Sequence, residues 1–121
     1  MNLPIITSPS LSKFEAYVRA VEAAKLAVAA TAGWRGWGFL VDQVRRASTS
    51  VPLNLAEGNA FPFGSPKRRH HFDLAYGSAL ELESALELAA TFGLGDASLH
   101  AARIAAGRSA AIVTKLTAPK R

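Results

Sequence analysis

The chain contains no cysteine, which removes disulfides, thiolate nucleophiles, cysteine-ligated zinc and iron–sulfur clusters together and fits a reducing compartment. Aromatic residues make up only 8% and charged residues 19%, while half of the residues are hydrophobic. The interior must therefore be built mainly from Ala, Leu and Val, and disorder is disfavoured. The longest apolar stretch runs from Leu26 to Trp34 with a Thr and a Gly inside it. That is about half of the ~20 residues a membrane-spanning helix requires. The opening MNLPIITSPS has no Lys or Arg, so no secretory leader is expected, and the cytoplasm is the default address. A P-loop, a Gly-x-Ser-x-Gly elbow and a Gly-x-Gly-x-x-Gly turn are all missing. At 121 residues there is room for one core and one domain.

What is present is helical periodicity. Leu11, Phe14, Val18, Val21, Ala24 and Val28 recur at the three-then-four spacing of an inner stripe, which predicts a first helix over about Ser10 to Ala32. Gly33, Gly36 and Gly38, interleaved with Trp34 and Trp37, end it. The stripe resumes as Val41, Val44, Ser48, Val51, Leu55 and Gly58 and keeps its phase across Pro52. A single second helix from Phe39 to about Asn59, kinked at the proline, is favoured over a break with Asn54 as N-cap and Glu57 as its capping-box partner. Pro52 frees the carbonyl of Ser48, and the hydroxyls of Ser48, Thr49 and Ser50 are near enough to answer it.

Ser65 and Pro66 start a third helix, which runs to about Phe92 with Phe72, Ala75, Ala79, Leu82, Leu86 and Ala89 inside. Gly93 and Gly95 stop it, and Asp96 or Ser98 caps a fourth helix. The fourth carries Leu99, Ala102, Ala106, Ser109, Val113 and Leu116 inward and ends near residue 117. No alternating β-branched run occurs, so the expected class is all-α. Four helices joined by short turns predict an antiparallel up-down-up-down four-helix bundle. Tyr17, Leu53, Tyr76, Leu80 and Leu88 lie off the inner stripes and predict a second apolar face, buried against another subunit.

The motif residues recur as a set: Gln43-Val44-Arg45-Arg46-Ala47, then Ser50-Val51-Pro52, then Asn54-Leu55-Ala56-Glu57-Gly58, and in the third helix Ala75-Tyr76-Gly77-Ser78 with Glu81-Leu82-Glu83. This pattern resembles the family of four-helix bundle proteins named after the intervening sequences of bacterial 23S ribosomal RNA, over roughly Phe14 to Gly93. The resemblance implies a four-helix bundle assembled into a ring-shaped homopentamer, with no established enzymatic activity. The fold is also similar to that of the accessory protein of diversity-generating retroelements, which binds nucleic acid and a reverse transcriptase through a basic surface. Two departures from the family pattern are the apolar run Asn59-Ala60-Phe61-Pro62-Phe63 and the basic run Lys67-Arg68-Arg69-His70-His71.

Catalytic and metal readings have little to stand on. His70 and His71 are adjacent and point about 100° apart on a helix, so they cannot share a ligand sphere as an i, i+4 pair does. His70 with Asp73 is the one nearby His/carboxylate pair on a face. Glu83 and Glu87 share a face but lack the Glu-x-x-His partners of a di-iron bundle. No catalytic residue, cofactor or metal is therefore expected. Asn54 and Glu57 are polar groups among apolar ones and need partners, with the carbonyl freed by Pro52, Arg45, Arg46 and Ser78 as candidates. Gly58 and Gly77 are expected at close helix–helix contacts.

Charge is the unusual quantity: 14 Lys plus Arg against 9 Asp plus Glu give a net +5. An up-down threading sorts these charges by end. Lys13, Lys67, Arg68, Arg69, Lys115, Lys120 and Arg121 collect at one end against Glu15, Glu57 and Asp73, while the other half is close to balanced. These basic residues, with His70, are the candidate phosphate contacts for RNA or DNA. Five such ends in a ring would place about twenty positive charges on one face. Arg45 and Arg46 belong to another level and form a separate patch. The alternative is a protein–protein adaptor anchored by Phe61 and Phe63.

Overall fold

The computed structural model describes residues 3–117, and all regular structure among them is helical. A one-turn helix, α1 (Pro9–Ser12), precedes four long ones: α2 (Glu15–Ala30), α3 (Gly38–Asn59), α4 (Pro66–Thr91) and α5 (Ala97–Thr114). The expected first helix is thus divided. Ser8 Oγ accepts from the Leu11 N–H at 3.4 Å, and Pro9 occupies the first helical position, so this turn starts on its own. Phe14 is extended, with φ −93° and ψ 96°, and the helix restarts at Glu15. After Ala30 the chain tightens into a 3-10 turn, Thr31–Gly33.

Helix α3 runs unbroken through Pro52, as the constant phase of its stripe predicts. Asn54 is not a cap but an interior residue whose side chain reaches back one turn to Ser50. The hydroxyls near the proline turn elsewhere than expected. Ser48 Oγ donates to the Arg45 carbonyl at 3.2 Å, and Thr49 Oγ1 reaches the carbonyls of Arg45 and Arg46 at 2.9 and 3.2 Å. The ends of α4 and the start of α5 follow their local chemistry. Ser65 Oγ accepts from Arg68 N–H at 3.2 Å, with Pro66 at the first position. At the other end, Gly93 takes a positive φ of 82°. There Leu94 N–H donates to Ala89 O at 3.0 Å and Gly93 N–H to Ala90 O at 3.1 Å, the Schellman pattern. Asp96, rather than Ser98, caps α5.

Helix α3 packs on α2 and α4, and α5 packs on α2 and α4, giving a bundle-like arrangement. One core cluster joins the end of α2, the start of α3, the end of α4 and the start of α5 around Leu40, Val44, Leu86 and Leu99. The second joins the opposite ends around Val51, Leu55, Phe72 and Val113. The stripes of α3, α4 and α5 bury nearly as expected, with every predicted inner residue of α4 buried.

Helix α2 differs. Its buried face is Ala16, Ala20, Ala23, Ala27 and Ala30, while Val18 and Val21 are half-buried and Val28 is exposed. Close approach of α3 and α5 selects the methyl-bearing side, because bulkier side chains there would hold the helices apart. Glu22 is buried on the same helix, with Oε1 3.4 Å from Arg19 and Oε2 lacking a hydrogen-bond partner among the described residues. Among the described residues no helix is long and apolar enough to cross a membrane.

Candidate nucleic-acid interface

The turn between α3 and α4 builds the site. Ala60 N–H and Phe61 N–H bond back to Glu57 and Gly58 at 3.1 Å each, closing α3. Gly64 then adopts φ +83°, a left-handed conformation that residues with a Cβ avoid, and brings Ser65 round to cap α4. Because the turn is this tight, the side chains of Phe61 and Phe63 lie beside the first basic turn of α4. Arg68 is the organiser. Its Nη1 donates to the Phe61 carbonyl at 3.1 Å, and its guanidinium lies 4.9 Å from the Phe72 ring centre and 5.6 Å from that of Phe63. Lys67 Nζ sits 5.5 Å over Phe61, whose other neighbour is the His71 ring, stacked at 5.8 Å. Such cation–ring contacts are worth about 0.5–1 kcal/mol each at exposed sites.

Beneath the turn lies a surface cavity of about 240 Å³, to which α4 contributes Arg68, Arg69 and Phe72 and the end of α5 contributes Lys115. Arg69 and Lys115 are exposed, so two cations distant in sequence meet at one rim. Lys13 is exposed just before Phe14, whose ring is 6.0 Å from Phe72, which ties it to the same end. His70 is exposed beside His71, with ring centres 5.4 Å apart. Lys120 and Arg121 fall outside the described residues. The first turn of α4 contains no acidic residue to offset its cations. Each exposed cation there opposes the helix dipole at a cost of about 0.3–1 kcal/mol.

The motif residues behind this end form a polar network. Asn54 Nδ2 donates to the Ser50 carbonyl and hydroxyl at 3.0 and 3.1 Å, and Ser50 Oγ pairs with Ser78 Oγ at 2.8 Å across α3 and α4. With the amide so oriented, Asn54 Oδ1 is the acceptor and His71 Nδ1–H donates to it at 3.3 Å. Glu57 Oε1 lies 3.7 Å from the same ring nitrogen. The expected partner Ser78 is present, acting through Ser50, whereas His71 is a partner the sequence did not reveal. Only its adjacency to Gly58 and Asn54 in the folded hairpin gives it that role.

Gly58 is a close contact, since a Cβ there would meet the Phe72 ring at 2.7 Å. Gly77 is not: a Cβ would find open space, because it lies on the outer face of α4 with Leu74 and Leu80. Arg45 is exposed. Arg46 lines a shallow groove with Ser78 and Glu81, at a different level from the basic end. Of the predicted second apolar face, Leu53, Leu80 and Leu88 are exposed, while Tyr17 and Tyr76 instead pack against the core cluster around Phe72. Phe72 is buried and Phe61 is half-buried, which leaves Phe63 as the free aromatic of the turn. Among the described residues no group of three or more His, Asp or Glu is placed to hold a metal ion.

Helices and site together define an all-helical, bundle-like protein with a cation-rich end. The sequence profile of the 23S rRNA-intervening sequence protein family matches residues 12–106, and the chain belongs to that family. The matched span includes the network and the basic turn, while Lys115 lies beyond it. Comparison with curated proteins returns no match.

Proposed function

We propose that this protein is an up-down-up-down four-helix bundle that assembles into a ring-shaped homopentamer and binds nucleic acid, RNA or DNA, through phosphate contacts at its basic end, without catalysing a reaction. The observation that carries the binding reading is the meeting of Arg69 and Lys115, from the start of α4 and the end of α5, at the rim of one cavity, with Lys67 on the same first turn of α4 over Phe61. Long flexible cations at a shared rim suit phosphate oxygens, which are contacted irrespective of base sequence. Antiparallel pairing of α3 with α4 supports the threading, because Ser50 meets Ser78 while Asn54 meets His71. Exposed Leu74, Leu80 and Leu88 on α4 and Leu53 on α3 support self-association.

Titration of labelled nucleic acid at two salt concentrations tests the reading. Affinity should fall steeply as salt rises. In a Lys67→Ala, Arg69→Ala, Lys115→Ala variant the salt slope should shrink by roughly 0.7–0.9 for each phosphate contact removed. Arg68 is left in place because it holds the turn together. Absence of binding at low salt, or binding that the triple variant leaves unaltered, rejects the interface. Light scattering of the unbound protein tests the assembly, and a monomeric mass rejects the ring.

A further inference from the structure

We infer that the basic end selects single-stranded over double-stranded nucleic acid, with Phe63 serving as the stacking platform for one unpaired base and Arg69 and Lys115 holding the adjoining phosphates. This inference rests on the nucleic-acid reading above and adds the class of substrate.

Phe63 is 94% exposed, the most exposed large hydrophobic side chain among the described residues. Nothing in the packing of the helices needs it there. It stands at the mouth of the cavity of about 240 Å³ that Arg69 and Lys115 rim, so an aromatic face and two cations converge on one small opening. That volume falls below the ~300–1,000 Å³ usual for drug-sized ligands and suits one ring system lying partly in solvent. Phe63 also has something to hold it. The Arg68 guanidinium backs its ring at 5.6 Å, is itself tied to the Phe61 carbonyl at 3.1 Å, and rests 4.9 Å over buried Phe72. A cation near the ring and open solvent around it leave the aromatic face accessible for stacking.

The strand preference follows from geometry. Within a duplex each base has both faces covered by its neighbours, so a protruding phenyl ring can meet only grooves and backbone. An unpaired base offers a free π-face, and every base type has one. The distribution of charge agrees: cations beside an aromatic ring track a backbone whose bases are turned toward the protein. Phe61, by contrast, is already stacked on His71 and covered by Lys67, which leaves one stacking position rather than two.

The test is fluorescence anisotropy of the full chain with labelled oligothymidylate, oligouridylate and a hairpin duplex at low salt, for wild type, Phe63→Ala and Phe63→Trp. The single strands should bind about tenfold or more tightly than the duplex. Phe63→Ala should lose about tenfold on the single strands and leave duplex affinity unchanged, and Phe63→Trp should restore it. Thermal melts unchanged between the variants establish that folding is intact. Equal affinity for single strand and duplex, or no effect of Phe63→Ala, overturns this inference and leaves the phosphate interface standing. Failure of every probe to bind overturns both.

Discussion

At the end formed by the α2–α3 and α4–α5 connections, aromatic rings rest on one another: Trp37 stacks on Phe92 at 5.1 Å and tilts against Phe39 at 5.7 Å. At the opposite end ring pairs also occur, Phe14 with Phe72 and Phe61 with His71, but cations join them, with Lys67 over Phe61 and Arg68 between Phe63 and Phe72. Exposure alone does not separate the two ends, since Phe39 is 67% and Phe92 45% exposed. What separates them is the company the rings keep. Ring against ring closes a surface and finishes a core. Ring against guanidinium keeps a charge fixed at the surface while leaving one aromatic face free.

The largest expected effect on this contrast comes from Phe72→Ala. Phe72 is 3% exposed and touches Phe14, Arg68 and the backbone at Gly58, so its loss should cost about 3–5 kcal/mol in urea denaturation. Trp37→Ala at the other end should cost less, because Trp37 is only half-buried. The reverse order would show that the ring-on-ring end is the stability centre. A second comparison sets two glycines of the family motif against each other. Gly58→Ala drives a methyl into the Phe72 ring and should cost about 1–3 kcal/mol. Gly77→Ala enters open space on a helix and should gain about 0.5–1 kcal/mol.

The smallest effect distinguishes the two helix caps by pH. Asp96 Oδ1 accepts from the Ser98 hydroxyl at 2.6 Å and from the Ser98 and Leu99 amides at 3.0 and 3.2 Å. The Ser98 hydroxyl, followed by the Leu99 amide, holds the Asp96 carboxyl below its ordinary value of 3.8. Its stabilisation is therefore present at neutral pH, above the unfolded value, and is lost as pH falls through the lowered folded value. Melting curves should show a penalty of a few degrees for Asp96→Ala that narrows in acid. Ser65→Ala, which removes a neutral cap, should lose about 0.5–2 kcal/mol with no such pH dependence.

Much of this architecture was legible in the sequence. Phe72, Leu82 and Leu86 mark the inside of α4 because large residues at the helical period have one place to go. Ser65-Pro66 and Asp96 announce their helix starts because capping is local chemistry. The inside of α2 differs from the expected stripe for a physical reason: hydrophobicity favours Val18, Val21 and Val28, whereas close approach of neighbouring helices buries the alanines instead. The meeting of Arg69 and Lys115 follows from chain threading. The grip of Arg68 on Phe61 and Phe63 does not, because it depends on the left-handed turn at Gly64, and His71 joins Asn54 only through packing between helices. Gly58 and Gly77 carry the same expectation in the sequence, and only packing separates the tight one from the open one.

The alanine face of α2 has a mechanical consequence. A row of single methyl groups is a smooth rail, and sliding along it by a turn would bring similar methyls into similar places. Registration of α2 draws on larger side chains towards its extremities, where Trp34 is sunk into one cluster and Phe14 leans on Phe72 in the other. These two aromatics act as pegs at either end of the rail, and loosening the Phe14 peg would shift the segment that carries Lys13.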